Sequence, residues 1–569
     1  MPKDTALKVM LPKWNYALQN KAAPRQWLLA SLALTCILVW YWLNASKQLN
    51  LPGLHNDEAQ EGGLQAWQML QGLPVSSFRD AGWGKNNYPL MVQDYIGALD
   101  VYWVLPFVAT LGNTTNALRL PFVILGALSI GLSFGFLWQQ TNLGSAVLGA
   151  LLLANHPAFV FWSRQGILVA LFTLPLTIML VWSSFAWQQR PRSWLALLFG
   201  LSAGLGLYAK LLLVWILIGT LASAGVFVLG RWGWQRRFPQ RAAWLAGFRS
   251  AVWALAGLAI GLSPLLYYNI RSQGTWLSLR SNLSTSFYGV DNSNFWQNLG
   301  VRWQQAQQVL RAKDFLWYLG GSSDSWLWGW SLLLVVLGMA ILLYQRSAAV
   351  KWGAQLLLLL GIGFCQSAFT VSDLFQHHLI LFLPIWIFCL AWLVGAVWQA
   401  LHNHTAWLKW AVRASILVFI AGLATQDTQA TQQYHRLLTQ SGGLSGYSNA
   451  IDSLAMQLMQ RQPKGPVLAL DWGIAPQIRY LSGEKIQPQE VFGYQWQVSP
   501  TFGQSLAPFF ANPDTLYLLH VPQETVFPDR AAALQAAAEA SGLALTTVAT
   551  ATRADGAPVF WIWQVLPAP

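Results

Sequence analysis

Asp57 and Glu58 stand side by side in the run His55-Asn56-Asp57-Glu58-Ala59-Gln60, with Glu61 next, just past the first long apolar stretch. Two adjacent carboxylates beside a bilayer suit an enzyme that deprotonates an acceptor hydroxyl or holds a metal. The chain has only 21 acidic residues in 569, so where they fall is informative. The cations are as pointed. Lys210 interrupts an apolar run of nearly forty residues, and a lone cation there is a functional hypothesis. Lys85, Arg164 and Lys210 together could neutralise one phosphate group, arginine in a fork and lysine as point charges. His377 and His378, with Tyr88, complete the candidate pocket. Adjacent helical residues point about 100° apart, so the histidines suit a hydrogen-bonding pair better than a shared metal. Plainer roles stand beside these: a solvated acid pair, a helix N-terminus, cations that snorkel or pair. Asp471-Trp472-Gly473, after a strand-like run, reads as turn chemistry.

The elements that must position these groups are set by composition. Hydrophobic residues make up 55% of the chain and charged residues only 10%, against about 25% charged in soluble proteins. This is an integral membrane protein. Its 34 tryptophans suit many helix ends at headgroup level. The net charge of +13 has no basic stripe interleaved with exposed aromatics, so nucleic acid is excluded as a partner. The cysteines Cys36, Cys365 and Cys389 lie in apolar stretches and form neither a disulfide framework nor a metal cluster. The basic N-terminus precedes an apolar run with no small-residue cleavage site, which reads as a retained first helix.

A span needs roughly 20 apolar residues. The candidates are 27–45, 117–138, 143–162, 167–187, 193–209, 211–230, 251–270, 326–345, 352–370, 376–398 and 407–425. The run 95–112 opens on Asp94 and Asp100. Arg231, Arg236, Arg237, Arg241 and Arg249 crowd one loop, which the positive-inside rule places in the cytoplasm with the basic N-terminus. Both hold if 95–112 lies in the interface without crossing. The expected architecture is a polytopic α-helical membrane protein with about eleven spans and an interfacial helix. The 271–325 loop falls outside despite its five cations, a departure from the rule. Residues 1–26 form a cytoplasmic segment, 27–428 the membrane domain with a first outer loop at 46–116, and 429–569 a soluble extracytoplasmic α/β domain. In the last, 467–470, 515–519 and 559–563 read as strands, and Asp529 as the N-cap of a helix ending near Gly542.

The order of these pieces resembles the family 39 glycosyltransferases of the GT-C superfamily, which include protein O-mannosyltransferases and the aminoarabinose transferase of lipid A. The resemblance runs over roughly 27–400. It lies in Asp57-Glu58-Ala59, in Lys85-Asn86-Asn87-Tyr88-Pro89-Leu90 where the family has Lys-Pro-Pro-Leu, and in Ala117-Leu118-Arg119-Leu120-Pro121. It continues in His156-Pro157 with Ser163-Arg164, in Lys210 where the family often has Thr-Lys, and in His377-His378-Leu379 with Pro384. Ala209 before Lys210 and the missing Pro-Pro depart from the pattern.

The resemblance implies an inverting transfer of a sugar from a polyprenyl-phosphate carrier to a lipid, protein or glycan acceptor. The expected place is the outer face of a bacterial plasma membrane. Asp57 would take the acceptor's proton, while Lys85, Arg164 and Lys210 would stabilise the departing phosphate. Glu58 would orient the acceptor, assist Asp57 or hold a metal. The resemblance fixes no cofactor, and a divalent metal at Glu58, His377 or His378 is left open. The competing class is a transporter or scaffold for lipid-linked sugars. A transporter places ionisable groups near midplane in paired halves, and the sequence has no paired halves.

Overall fold

The structure, a computed structural model, describes residues 24–75, 79, 81–84, 87–165, 170–235, 241–286, 289–313, 316–344, 350–370, 374–401 and 405–567. Each of the eleven apolar stretches is built around a helix. Among the described residues seven helices are long and apolar enough to cross a bilayer, and eight if a bent pair counts as one span. That pair is Leu143–Asn155 and Pro157–Ser163, which meet at 63°. The bend follows from His156-Pro157: a residue before proline is pushed out of the helical region, and His156 has ψ 122°. The run 95–112 contains the helix Leu99–Leu111. At about 1.5 Å per residue its 13 residues fall short of a hydrocarbon core of about 30 Å.

The helices Ser193–Ala209 and Arg241–Ser272 touch backbone to backbone. A β-carbon on Gly200 would stand 1.8 Å from the Ala254 carbonyl oxygen, and one on Gly257 2.3 Å from that of Leu197. Small residues at such a seam let helices close without an aqueous driving force between them. The seam fixes the end of the helix that leads to Lys210.

Two cations of the 271–325 loop are consumed by the fold. Arg302 is buried and donates to the Ser367 and Leu374 carbonyls at 3.1 and 3.0 Å, and Arg311 pairs with Asp324. Paired or buried cations carry little topological weight, which accounts for part of the departure from the charge rule.

The helix Ala406–Ser441 runs unbroken from the membrane part past residue 428 into the C-terminal part. There β3 (Val467–Ala469), β4 (Gln489–Glu490), β5 (Leu516–His520), β6 (Leu543–Thr552) and β7 (Pro558–Pro567) form one sheet in the order β4-β3-β5-β7-β6. It is parallel across β4-β3-β5 and antiparallel across β5-β7-β6. All three strand-like runs are strands here. Asp529 does precede the helix Arg530–Ala540, but it adopts φ 71° and its side chain makes no cap. A two-stranded hairpin in the membrane part, β1 (Met91–Gln93) and β2 (Ile96–Gly97), completes the elements that matter for the site.

Candidate active site

The first outer loop is organised around one guanidinium. Arg119, in the helix Thr115–Gln140, donates to both oxygens of Glu58 at 2.9 and 2.7 Å. It also donates to the carbonyls of Leu49, Pro52 and Gly53 at 3.1, 2.7 and 3.0 Å. Both side chains are fully buried. The Glu58 carboxylate takes the His55 N–H as well (3.0 Å), while His55 Nδ1 accepts the Asp57 N–H at 3.2 Å. This reciprocal cap starts a helical turn at Asn56. The next residues, Ala59–Gly63, form a π-helical turn, an irregularity frequent at functional sites.

Asp57, from the turn Asn56–Glu58, and Glu61, from the π-turn, line a cavity of about 1270 Å³, and Glu58 does not. Glu58 therefore does not fill the expected catalytic or metal-holding place: its oxygens are taken by Arg119 and by backbone. Glu61 is buried and accepts a hydrogen bond from Gln93 at 2.6 Å. Burial first, then the neighbouring charge of Asp57, raises its carboxyl well above the ordinary range, with Lys210 opposing. Beneath the π-turn, burial pushes Asp100 up to about 7.

Lys210 enters the same cavity at a break in its helix, with extended backbone at φ −158° and ψ 128°. The break is held by the hairpin: Lys210 bridges Ile96, and the Leu211 N–H donates to the Tyr95 carbonyl at 3.2 Å. Gly97 is needed for that approach, since a β-carbon there would lie 2.4 Å from the Tyr208 carbonyl oxygen. The Lys210 ammonium stands 3.5 Å from His378 Nδ1. His377 lines the cavity with it, its ring 5.6 Å from that of Trp162.

The remaining expected residues part company with this group. Arg164 is buried outside the cavity wall, donating through Nη2 to the carbonyls of Lys47 and Gln48 at 2.6 and 2.5 Å with its guanidinium over the Tyr434 ring. It ties down the first loop and is not placed to meet a phosphate in the cavity. Tyr88 is half exposed, pairs its backbone with Trp83 and does not line the cavity. Lys85 lies outside the described residues. Among the described residues no three His, Cys, Asp or Glu side chains gather as metal ligands.

The cavity has two further walls. Leu212, Val214, Trp215 and Ile218 line it from the helix that follows Lys210, with Phe369 and Phe375 nearby. Ile218 is exposed on a helix long and apolar enough to cross a bilayer. The opposite wall comes from the C-terminal part: Ser445, Gly446, Tyr447, Trp472, Tyr494 and Val526. Sequence reasoning missed this wall. The signal was the Asp471-Trp472-Gly473 turn, whose aspartate is a buried hub and whose tryptophan faces the cavity.

An acid, a cation and paired imidazoles at the head of an apolar groove suit an amphiphile with an anionic headgroup. Comparisons with known proteins agree with the geometry. Residues 98–269 match the family model described as dolichyl-phosphate-mannose-protein mannosyltransferase. ArnT from Cupriavidus metallidurans in the apo state is similar in fold, with a TM-score of 0.59 and 11% identity over 95% of this chain and 98% of that one. The same protein bound to undecaprenyl phosphate gives 0.57 and 12% over the same shares. No curated protein sequence matches. The chain is similar in fold to ArnT, an integral membrane helix assembly with a small C-terminal sheet domain.

Proposed function

We propose that the protein transfers a sugar from a polyprenyl-phosphate carrier to an acceptor hydroxyl at the outer face of the membrane, with inversion at the anomeric carbon. The observation that carries this reading is the cavity that joins Asp57, Glu61 and Lys210 to an apolar wall on a helix long and apolar enough to cross a bilayer. The polyprenyl chain lies along Leu212, Trp215 and Ile218, and its phosphate reaches Lys210.

The residues divide the work by environment. Glu61 is the acid driven toward its protonated form, while Asp57, the more exposed, is free to act as base. The acceptor oxygen gives its proton to Asp57 and attacks the anomeric carbon opposite the phosphate. The carbon–oxygen bond to phosphate breaks with its electron pair going to the phosphate. Lys210, steadied by His378, meets the added negative charge. No step is assigned to Glu58, Arg164 or a metal. ArnT with undecaprenyl phosphate bound, similar in fold, supports the carrier.

The test is purified protein with a labelled sugar on undecaprenyl phosphate and an envelope extract as acceptor source. Transfer with inverted anomeric configuration is expected. Retention of configuration, or binding of the carrier with release of intact lipid-linked sugar on the other side of a vesicle, would overturn it.

A further inference from the structure

We propose that the C-terminal domain holds the acceptor and that this acceptor is an uncharged saccharide, its ring faces laid on Trp472 and Tyr494. The inference rests on the transfer reading and names the substrate class that reading leaves open. The cavity wall contributed by this domain is built from Ser445, Gly446, Tyr447, Trp472, Tyr494 and Val526, with no charged side chain. A phosphorylated or acidic acceptor would meet no cation there. A pyranose ring offers two flat C–H faces and a rim of hydroxyls, and amphipathic aromatic rings suit the faces.

The loop 492–497 reads Phe-Gly-Tyr-Gln-Trp-Gln, aromatic rings interleaved with amides. Tyr494 is 63% exposed and Trp496 71%, a large apolar outlay for the surface of a soluble domain. Amides between rings supply donors and acceptors for sugar hydroxyls. The Tyr494 hydroxyl is already engaged with Glu490 at 2.9 Å, so its ring face is the recognition surface.

These rings are set in place by the fold itself. Arg530, buried, donates to the carbonyls of Phe492, Gln495 and Trp496. The rings of Phe492 and Trp496 pack on Phe527 at 5.0 and 5.2 Å. The Phe527 and Val526 N–H groups donate in turn to Asp471 at 3.0 and 3.1 Å. That carboxylate also takes the Trp472 N–H at 2.8 Å and His520 Nδ1 at 2.9 Å. One guanidinium and one carboxylate thus set both ring surfaces, which limits the entropy lost on binding. Trp472 stands 5.5 Å from the His55 ring, two residues from Asp57, so a sugar on it presents a hydroxyl toward the base.

The experiment is saturation-transfer NMR on the full chain in nanodiscs free of glycoside detergent, with cellohexaose, maltohexaose and chitohexaose as probes. Saturation of aromatic protons should reach the ring C–H protons of at least one probe. Trp472→Ala and Tyr494→Ala should each weaken that probe about tenfold. The inference is overturned if no probe receives saturation, if affinity survives both substitutions, or if a Ser/Thr-rich peptide displaces the saccharide. Undecaprenyl-phosphate binding is measured on the same preparations. Carrier binding without saccharide binding removes this inference and leaves the donor reading, and the reverse result removes the donor reading alone.

Discussion

Two knots of charge lie within a few residues of each other and do opposite things. In one, Arg119 and Glu58 are fully buried, and the guanidinium is shared between that carboxylate and three carbonyls. In the other, Asp57, Glu61 and Lys210 face a shared void. A satisfied buried pair fixes a loop. A set of charges that lines a cavity is placed to meet a substrate. Adjacent carboxylates, Asp57 and Glu58, thus have different surroundings: one lines the cavity, and the other is held by Arg119 and the reciprocal cap.

The largest expected effect falls on the open knot. Asp57→Asn should lower transfer turnover by about 10²–10⁴ while the thermal midpoint in detergent stays within error. A midpoint that drops with activity would move Asp57 into the structural knot. The mirror experiment is Glu58→Gln, which strips Arg119 of its counter-charge. Breaking a buried pair costs about 3–5 kcal/mol, so the midpoint should fall sharply, and any protein that remains folded should keep most of its turnover per molecule. Collapse of turnover at an unchanged midpoint would return Glu58 to the chemistry.

The cations sharpen the same contrast. Lys210→Ala should weaken undecaprenyl-phosphate binding by about tenfold to a hundredfold, since charge-assisted hydrogen bonds contribute roughly 1.5–3 kcal/mol. Arg164→Ala should lower stability and leave that affinity nearly unchanged, because its guanidinium is buried outside the cavity lining and donates through Nη2 to the 47–48 carbonyls. The smallest effect concerns Glu61. Its carboxyl is raised in the folded chain. Below its ordinary range it is protonated folded or unfolded and costs nothing; as pH rises past that range the unfolded chain ionises freely while burial holds the folded carboxyl protonated, a cost that builds until the raised value is passed. The stability advantage of Glu61→Gln should therefore grow from pH 5 to pH 8. An advantage that shrinks over that range would show that Lys210, and not burial, governs the acid.

What the sequence made legible was periodicity and isolation. Long apolar runs map onto helices because a bilayer leaves the backbone no other partners. Lys210 stood out because nothing near it in the chain is charged. The partners of Glu58 and Arg164 were not legible: a charge in an apolar chain signals importance without saying whether its partner is a substrate or the fold. Arg119 answers Glu58 from 61 residues away, and Arg164 reaches 117 residues back to Lys47. Such pairings are tertiary and leave no local pattern. Trp472 was hidden likewise, because a turn looks the same whether its aromatic ring faces water or a cavity.

The helix Ala406–Ser441 has a mechanical meaning. Its 36 residues span roughly 54 Å at 1.5 Å each, more than a hydrocarbon core of about 30 Å. It is clamped at two heights, by Trp328 on Asp427 and by His435 on Asn44 and Gln48. The C-terminal domain therefore rides on a stiff shaft and has no hinge there. Each residue of that shaft sets both height and heading: one inserted between the clamps would lift the domain by about 1.5 Å and swing it through about 100°. Seven would restore its heading to within about 20°, yet raise Trp472 by roughly 10 Å relative to the rest of the cavity lining.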